Sequence, residues 1–406
     1  MLSKYLSKIL VIKLLLGILY AIVALSFGLI LGYNARQFHI LYFLIFNQFL
    51  LSMILYFRSN ISGLHLFKTD SVLSVVDRTL MIIFCSILIW GNIFPGSLRI
   101  EWFVYAQTLS YTITVIISFL VVLKKAAFFK PRLNFVYLKL ILRQSFPFAL
   151  LVLLMSFYNR IDSVMLERLL PDGKTQAGIY AQGFRILDAF SNFSVLFAGL
   201  LLPMFSRMIK QKEDVGEIVN IAYKLLIAPA LFIITISLVY NTTIIDIMYQ
   251  EHVVESSKVF VLLMVGLFFI STSYIYGTLL TANGNLKELN ILAGMIVLIN
   301  VGLNFILIPG YQALGSAIAS MITQFLMATG QVFLATRKVK YRQQWNTFFL
   351  LGVYFALLTG SAVLLNKTGL HWGFQWSVLG ILAVGLMPAL KLASIKEARE
   401  IINSKD

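Results

Sequence analysis

Apolar runs of about 20 residues recur along the whole chain, and this recurrence limits the possible folds more than any single motif. A helix rising about 1.5 Å per residue crosses a hydrocarbon core roughly 30 Å thick in one such run. The membrane is therefore the solvent of the fold. Of the 406 residues, 59% are hydrophobic and 12% charged, against about a quarter charged in ordinary soluble domains, which excludes a soluble globular enzyme.

Runs bounded by charge and turn residues predict twelve spans, near 9–33, 39–57, 71–91, 101–123, 145–166, 176–204, 218–240, 258–281, 288–308, 312–335, 346–366 and 373–391. The expected fold class is an all-α, polytopic transmembrane helix bundle. It divides into a four-helix N-terminal lobe (1–123), a cytoplasmic connector (124–144), a six-helix C-terminal lobe (145–335), two further helices (346–391) and a cytoplasmic tail (392–406). The connector has aromatic and leucine spacings compatible with a helix lying on the membrane surface. The segment 241–257 is the longest outer loop, so no extracytoplasmic domain is expected. The N-terminus has the basic start of a signal peptide, but its apolar stretch is too long and no small-x-small site follows, which predicts a retained first helix.

With Met1 on the cytoplasmic side, inner segments hold 22 Lys and Arg and outer segments hold 6. Basic loops resist translocation, so both termini are expected in the cytoplasm of a bacterial inner membrane. The same bias accounts for most of the net charge of +16. Because the basic residues are dispersed in short loops and build no continuous stripe, nucleic acid is excluded as a partner, whereas membrane lipids are expected ones.

The informative side chains are those that cost energy where they stand. Arg160 and Asp162 lie in the fifth span; near a helix centre such a pair costs about 5–7 kcal/mol, close to what the apolar residues of that span return. Gln182, Arg185, Asp188 and Asn192 follow at three- and four-residue steps in the sixth span and form one stripe, along which Arg185 and Asp188 are placed to pair. Arg160 falls roughly 21 Å from the cytoplasmic start of its helix and Arg185 roughly 14 Å from the outer start of the next. Two arginines and two aspartates are thus expected to share one interior cavity. The functional reading gives the arginines to an anionic headgroup, since a planar guanidinium donates bidentate bonds to phosphate. The bland reading has the four charges neutralising one another and pinning two helices together.

Weaker candidates are Arg78, beside Asp77, and Lys224, whose long side chains reach headgroups from span ends. Asn300 and Asn304, one turn apart, read more readily as interhelical glue, as do Asn47 and Gln48. The small residues Ala313, Gly315, Ala317 and Ala319 allow close helix approach. Cys85, the sole cysteine, reads as a packing residue, and His39, His65, His252 and His371 have no metal spacing. No catalytic residue, metal or cofactor is expected, and no GxxxxGK[ST] loop for ATP is present. Transport would draw on an ion gradient, with H+ or Na+ as the coupling ion, on the membrane potential, or on the substrate's own gradient.

Two stretches carry a family resemblance: SFPFALLVLLMSFYNRIDSVMLERLLPDGKTQAGIYAQGFRILD, and LTANGNLKELN followed by LINVGLNFILIPGYQALGSAIASMITQF. Both resemble polysaccharide-biosynthesis flippases, the O-antigen (Wzx-type) branch of the multidrug/oligosaccharidyl-lipid/polysaccharide superfamily. The resemblance implies a two-lobed, MATE-like carrier that moves undecaprenyl-diphosphate-linked oligosaccharide by alternating access, with Arg160, Asp162, Arg185 and Asp188 as cavity residues. Such carriers usually have fourteen helices. The first helix here resembles the family's third, so the N-terminal lobe is expected to be incomplete, either through a late start codon or a truncated gene or as a working twelve-helix variant with an open seam in that lobe. Competing readings are a drug or cation antiporter of the same superfamily, a polytopic oligosaccharide polymerase or ligase, and a purely structural membrane fragment. The antiporter would favour unpaired carboxylates, and the polymerase a substantial outer loop.

Overall fold

The computed structural model describes residues 2–64, 66–91, 99–125, 135–339 and 345–392. Among these there are twelve helices and no strand. Eleven of the helices are long and apolar enough to cross a membrane. One of them bends back at a non-helical residue, which restores the twelve expected passes. The protein is a multi-pass membrane protein.

The chain divides into two compact units, Met1–Arg143 and Gln144–Asp406. Unit 1 holds α1 (Leu2–Ile30), α2 (Ala35–Gly63), α3 (Phe67–Trp90) and α4 (Ile100–Lys125). Helix α2 begins four residues before the apolar run does because Asn34 and Gln37 form a capping box. The Asn34 Oδ1 accepts from the Gln37 amide at 2.9 Å and the Gln37 Oε1 accepts from the Asn34 amide at 2.8 Å, satisfying donors that a helix start leaves open. Helix α2 packs against α4 around Met53, Tyr56, Phe57, Ile61, Leu73 and Val122.

Unit 2 contains most of α5 (Phe135–Leu169), then α6 (Gly173–Gln211), α7 (Gly216–Val239), α8 (Asn241–Met248), α9 (Val253–Ala282), α10 (Leu286–Lys338), α11 (Trp345–Asn366) and α12 (Trp372–Ala389). Its core is the α6–α9–α10 packing, with Tyr180, Phe205, Phe260, Leu263 and Tyr276 fully buried. Gly183 makes the α6–α9 approach possible: a Cβ there would stand 3.0 Å from the Phe260 Cα. Helices α11 and α12 follow, α11 packing on α7.

Helix α10 is two arms joined at Gln312, whose φ of 54° and ψ of −133° break the helix between the expected spans 288–308 and 312–335. A positive φ without glycine is strained, and the turn holds it between two long packed arms. Gly315 follows because a side chain there would collide with the Leu307 carbonyl across the bend.

Two expectations are revised. The segment 241–257 is not all loop: α8 occupies its first half, eight residues long and too short to cross, pinned by the fully buried Ile245. Its eight-residue apolar pattern is too brief to stand out by periodicity. Of the connector 124–144, residues 126–134 lie outside those described, whereas 135–144 are the first turns of α5 and continue through Pro147 into the span. The tail from 393 onward also lies outside the described residues.

Candidate functional site

In unit 2, Asp162 of α5 is 2% exposed and lies among donors from three directions. The Tyr180 hydroxyl of α6 donates to its Oδ2 at 2.8 Å, Ser320 of the second α10 arm donates to the same oxygen, and Asn304 of the first arm donates through Nδ2 to Oδ1 at 2.7 Å. A second layer supports the first. Asn304 Nδ2 also reaches the Asn300 Oδ1 at 3.1 Å, and the Tyr158 hydroxyl meets the Thr323 Oγ1 at 2.9 Å and the Ser320 carbonyl at 3.2 Å. The spacing explains the convergence: Asn300 and Asn304 are one turn apart, Ser320 and Thr323 three residues apart, and the Gln312 bend folds one pair onto the other.

A buried carboxylate is costly unless it is paired or well hydrogen-bonded. Among the described residues no Lys or Arg forms an ion pair with Asp162. Three hydrogen-bond donors therefore stabilise the carboxylate instead of an ion pair. The cluster is also rich in oxygens, and the Asn304 Oδ1 is buried without a partner. Carboxylate, amide and hydroxyl oxygens are the donor set of a hard cation, and one carboxylate suits a single positive charge, a proton or an alkali ion. Among the described residues no group of three or more His, Cys, Asp or Glu gathers into a metal cluster.

This arrangement corrects the expectation that Asp162 shares a cavity with the arginines. Residues two apart on a helix point to nearly opposite sides, so Asp162 turns into unit 2 while Arg160 turns out of it. Arg160 is exposed, with its Cζ 5.9 Å from the centroid of the Phe184 ring. Arg185 and Asp188 are also exposed, and the expected bridge between them is absent from the ion pairs of the described residues. Arg160 stands roughly 14 Å from the α5–α6 turn and Arg185 roughly 18 Å from it, so the hairpin brings them to similar depth. Asn192 donates to the Asp188 carbonyl at 2.7 Å and Gln182 to the Glu251 carbonyl at 3.3 Å, which ties down the remaining members of the α6 stripe.

The weaker candidates separate. Arg78 is 73% exposed and 3.6 Å from the carboxylate of its neighbour Asp77. Lys224 is half-buried on α7 and makes no ion pair among the described residues. Asn300 and Asn304 are both fully buried; Asn304 donates to the carboxylate, and Asn300 supports it by accepting from Asn304 and donating to the Thr323 hydroxyl, so the pair is more than interhelical glue. Tyr158, Tyr180, Ser320 and Thr323 are site residues that the sequence alone does not mark. Their only trace in the sequence is the polar spacing Ser316, Ser320, Thr323 and Gln324 on one side of an otherwise apolar span.

Comparison with known proteins follows the same lines. Residues 2–209 match the family described as "Polysaccharide biosynthesis protein". The capsular polysaccharide biosynthesis protein CapF of Staphylococcus aureus is 25% identical over 185 residues, which cover 44% of this chain and 46% of that protein, so the matched part is about half of the relative's length. Among solved structures, the lipid II flippase MurJ in an inward closed conformation superposes with a TM-score of 0.66 at 15% identity, covering 96% of this chain and 82% of MurJ. A multidrug resistance MATE family transporter of the MOP superfamily, outward-facing, gives 0.61 at 16% identity, covering 81% and 76%. The fold is that of these carriers, and the chain belongs to the polysaccharide biosynthesis protein family.

Proposed function

We propose that the protein is a flippase that carries undecaprenyl-diphosphate-linked oligosaccharide from the inner to the outer leaflet of the cytoplasmic membrane, by alternating access, for surface polysaccharide synthesis. The observation that carries this reading is the pair of exposed arginines, Arg160 and Arg185, which form no ion pair among the described residues and stand on membrane-crossing helices of a chain in this family. Cationic forks without ion-pair partners are suited to a diphosphate, which accepts bidentate bonds from both. The positive-inside bias supports cytoplasmic termini. Asp162 and the oxygens of Asn300, Asn304, Ser320 and Thr323 supply a place for the coupling ion, H+ or Na+.

One observation favours the antiporter reading: Asp162 has no arginine partner among the described residues, as an organic-cation carrier would require. Its 2% exposure behind Tyr180 and Ser320 limits it to a small ion, however, and leaves no room for a drug.

The test is mass spectrometry of polyprenyl-linked glycans from the native host with and without the gene. Accumulation of a completed lipid-linked oligosaccharide is expected in the deletion strain, and again when the gene is restored as Arg160→Ala or Arg185→Ala with unchanged membrane insertion. Normal glycan pools in the deletion strain would refute the assignment. Full transport by both variants would remove the arginines from it.

A further inference from the structure

Unit 1 contains an ammonium group inside a membrane span for which it supplies no carboxylate. Lys13 lies in α1, four residues into the candidate span that begins at Ile9, a depth of roughly 6 Å. It is half-buried against α2 instead of extending toward the helix end. Its Nζ donates to the Ser52 Oγ at 2.7 Å and the Ser52 carbonyl at 3.1 Å, and lies 5.6 Å from the centroid of the Tyr56 ring.

Within Met1–Arg143 the acidic residues are Asp70, Asp77 and Glu101. Each already faces an arginine: Asp70 meets Arg58 at 2.8 Å, Asp77 meets Arg78 at 3.6 Å, and Glu101 meets Arg36 at 2.5 Å. Two neutral oxygens and a ring face offset part of the cost of a charge in hydrocarbon but do not neutralise it. An ammonium has three N–H donors, and Ser52 takes two.

We propose that Lys13 and Ser52 form a binding site, in the α1–α2 groove, for the phosphate of an amphiphilic anion. The ligand must be anionic to complete the ammonium, must carry a compact acceptor group to use the remaining donor, and must have an apolar tail to reach this depth. Lysine binds phosphate as a point charge, so one phosphate oxygen suffices. The surrounding α1 surface, with Leu14, Leu15, Leu16 and Ile18 exposed, is compatible with an acyl or prenyl chain. Two sources share this chemistry: a resident anionic phospholipid and a prenyl diphosphate. The site lies in unit 1 and does not depend on the role assigned to Arg160 and Arg185.

The test is native mass spectrometry of the purified full-length chain, delipidated and then exposed to phosphatidylglycerol, phosphatidylcholine or farnesyl diphosphate. An anionic adduct retained over phosphatidylcholine is expected. Its occupancy should fall about fivefold in Lys13→Gln, the loss of one lysine–headgroup attraction, and persist in Lys13→Arg. Loss confined to phosphatidylglycerol identifies a resident lipid, and loss confined to farnesyl diphosphate identifies a prenyl carrier. Equal anionic binding by Lys13→Gln and the unsubstituted protein overturns the proposal, with Lys13 then only a lysine held by Ser52. If Lys13→Gln does not fold, acetylation of Lys13 in the unsubstituted protein decides: it should be slower in phosphatidylglycerol nanodiscs than in phosphatidylcholine ones, and equal rates overturn the site.

Discussion

Replacing Asp162 by alanine and by asparagine separates its structural from its ionic role. Alanine removes the acceptor of three donors. Some of these find new partners: the Tyr180 hydroxyl already lies 3.2 Å from the Ser320 Oγ, and Asn304 keeps the Asn300 Oδ1 at 3.1 Å. The Ser320 hydroxyl can turn back toward the carbonyl four residues earlier. About one buried donor then remains unmet, at about 1–3 kcal/mol, together with a small cavity, for a net loss of about 2–4 kcal/mol. In a unit of this size that lowers the melting temperature by on the order of 5–10 °C. Asparagine keeps the shape and one acceptor and should cost less than about 1.5 kcal/mol. A cation bound only by the folded protein, at 100 times its dissociation constant, adds about 2.7 kcal/mol. The assay is thermal unfolding of purified protein in sodium, potassium and choline chloride at equal ionic strength. The unsubstituted protein should melt higher in one alkali salt than in choline, and Asp162→Asn should melt equally in both. A full salt-specific shift in Asp162→Asn would refute the ion site. An Asp162→Ala protein as stable as the original would refute the hydrogen-bond reasoning itself.

Two further outcomes follow from the backbone. Gln312→Gly should raise unfolding stability by about 1 kcal/mol, because glycine adopts positive φ without the strain that glutamine bears; unchanged or lower stability on thermal unfolding would contradict a strained turn. Gly183→Val should lower it by about 1–3 kcal/mol, since even its Cβ would stand 3.0 Å from the Phe260 Cα; size-exclusion profiles after graded heating would show the loss, and an unaltered profile would mean that α6 and α9 yield easily.

Most of the fold was legible because a membrane helix announces itself: the apolar run is as long as the bilayer is thick, and each expected pass lies on an observed helix. The reading failed where the signal was short or not local. Helix α8 has eight residues and no span to fill. At the site, depth along the helix hardly distinguishes positions 160 and 162, whereas rotation about the helix axis does. The 100° turn per residue places those two side chains roughly 200° apart and separates Asp162 from Arg160 without any structure. The partners of Asp162 were less accessible. Tyr180, Asn304 and Ser320 stand 18, 142 and 158 residues away, and only the bend at Gln312 brings the last two together.

The attachment of α5 has a consequence of its own. Along one side it packs Leu151, Leu154, Met155 and Tyr158 against Ala293, Ile296 and Met327, while Phe146, Val152, Leu153, Phe157 and Val164 are exposed. In a bilayer, an apolar side chain gains little by choosing protein over lipid, so such contacts alone leave a helix nearly free to roll about its axis. The orientation of α5 is set instead by polar fasteners: Asn290 on the Pro147 carbonyl at 2.9 Å, Tyr158 on Thr323, and Asp162 on three donors. Because three of these bonds end on a single carboxylate, they weaken together when its charge is cancelled, since a neutral carboxyl is the poorer acceptor. The azimuth of α5, and with it the direction in which Arg160 points, is thereby tied to the ionic state of one buried side chain.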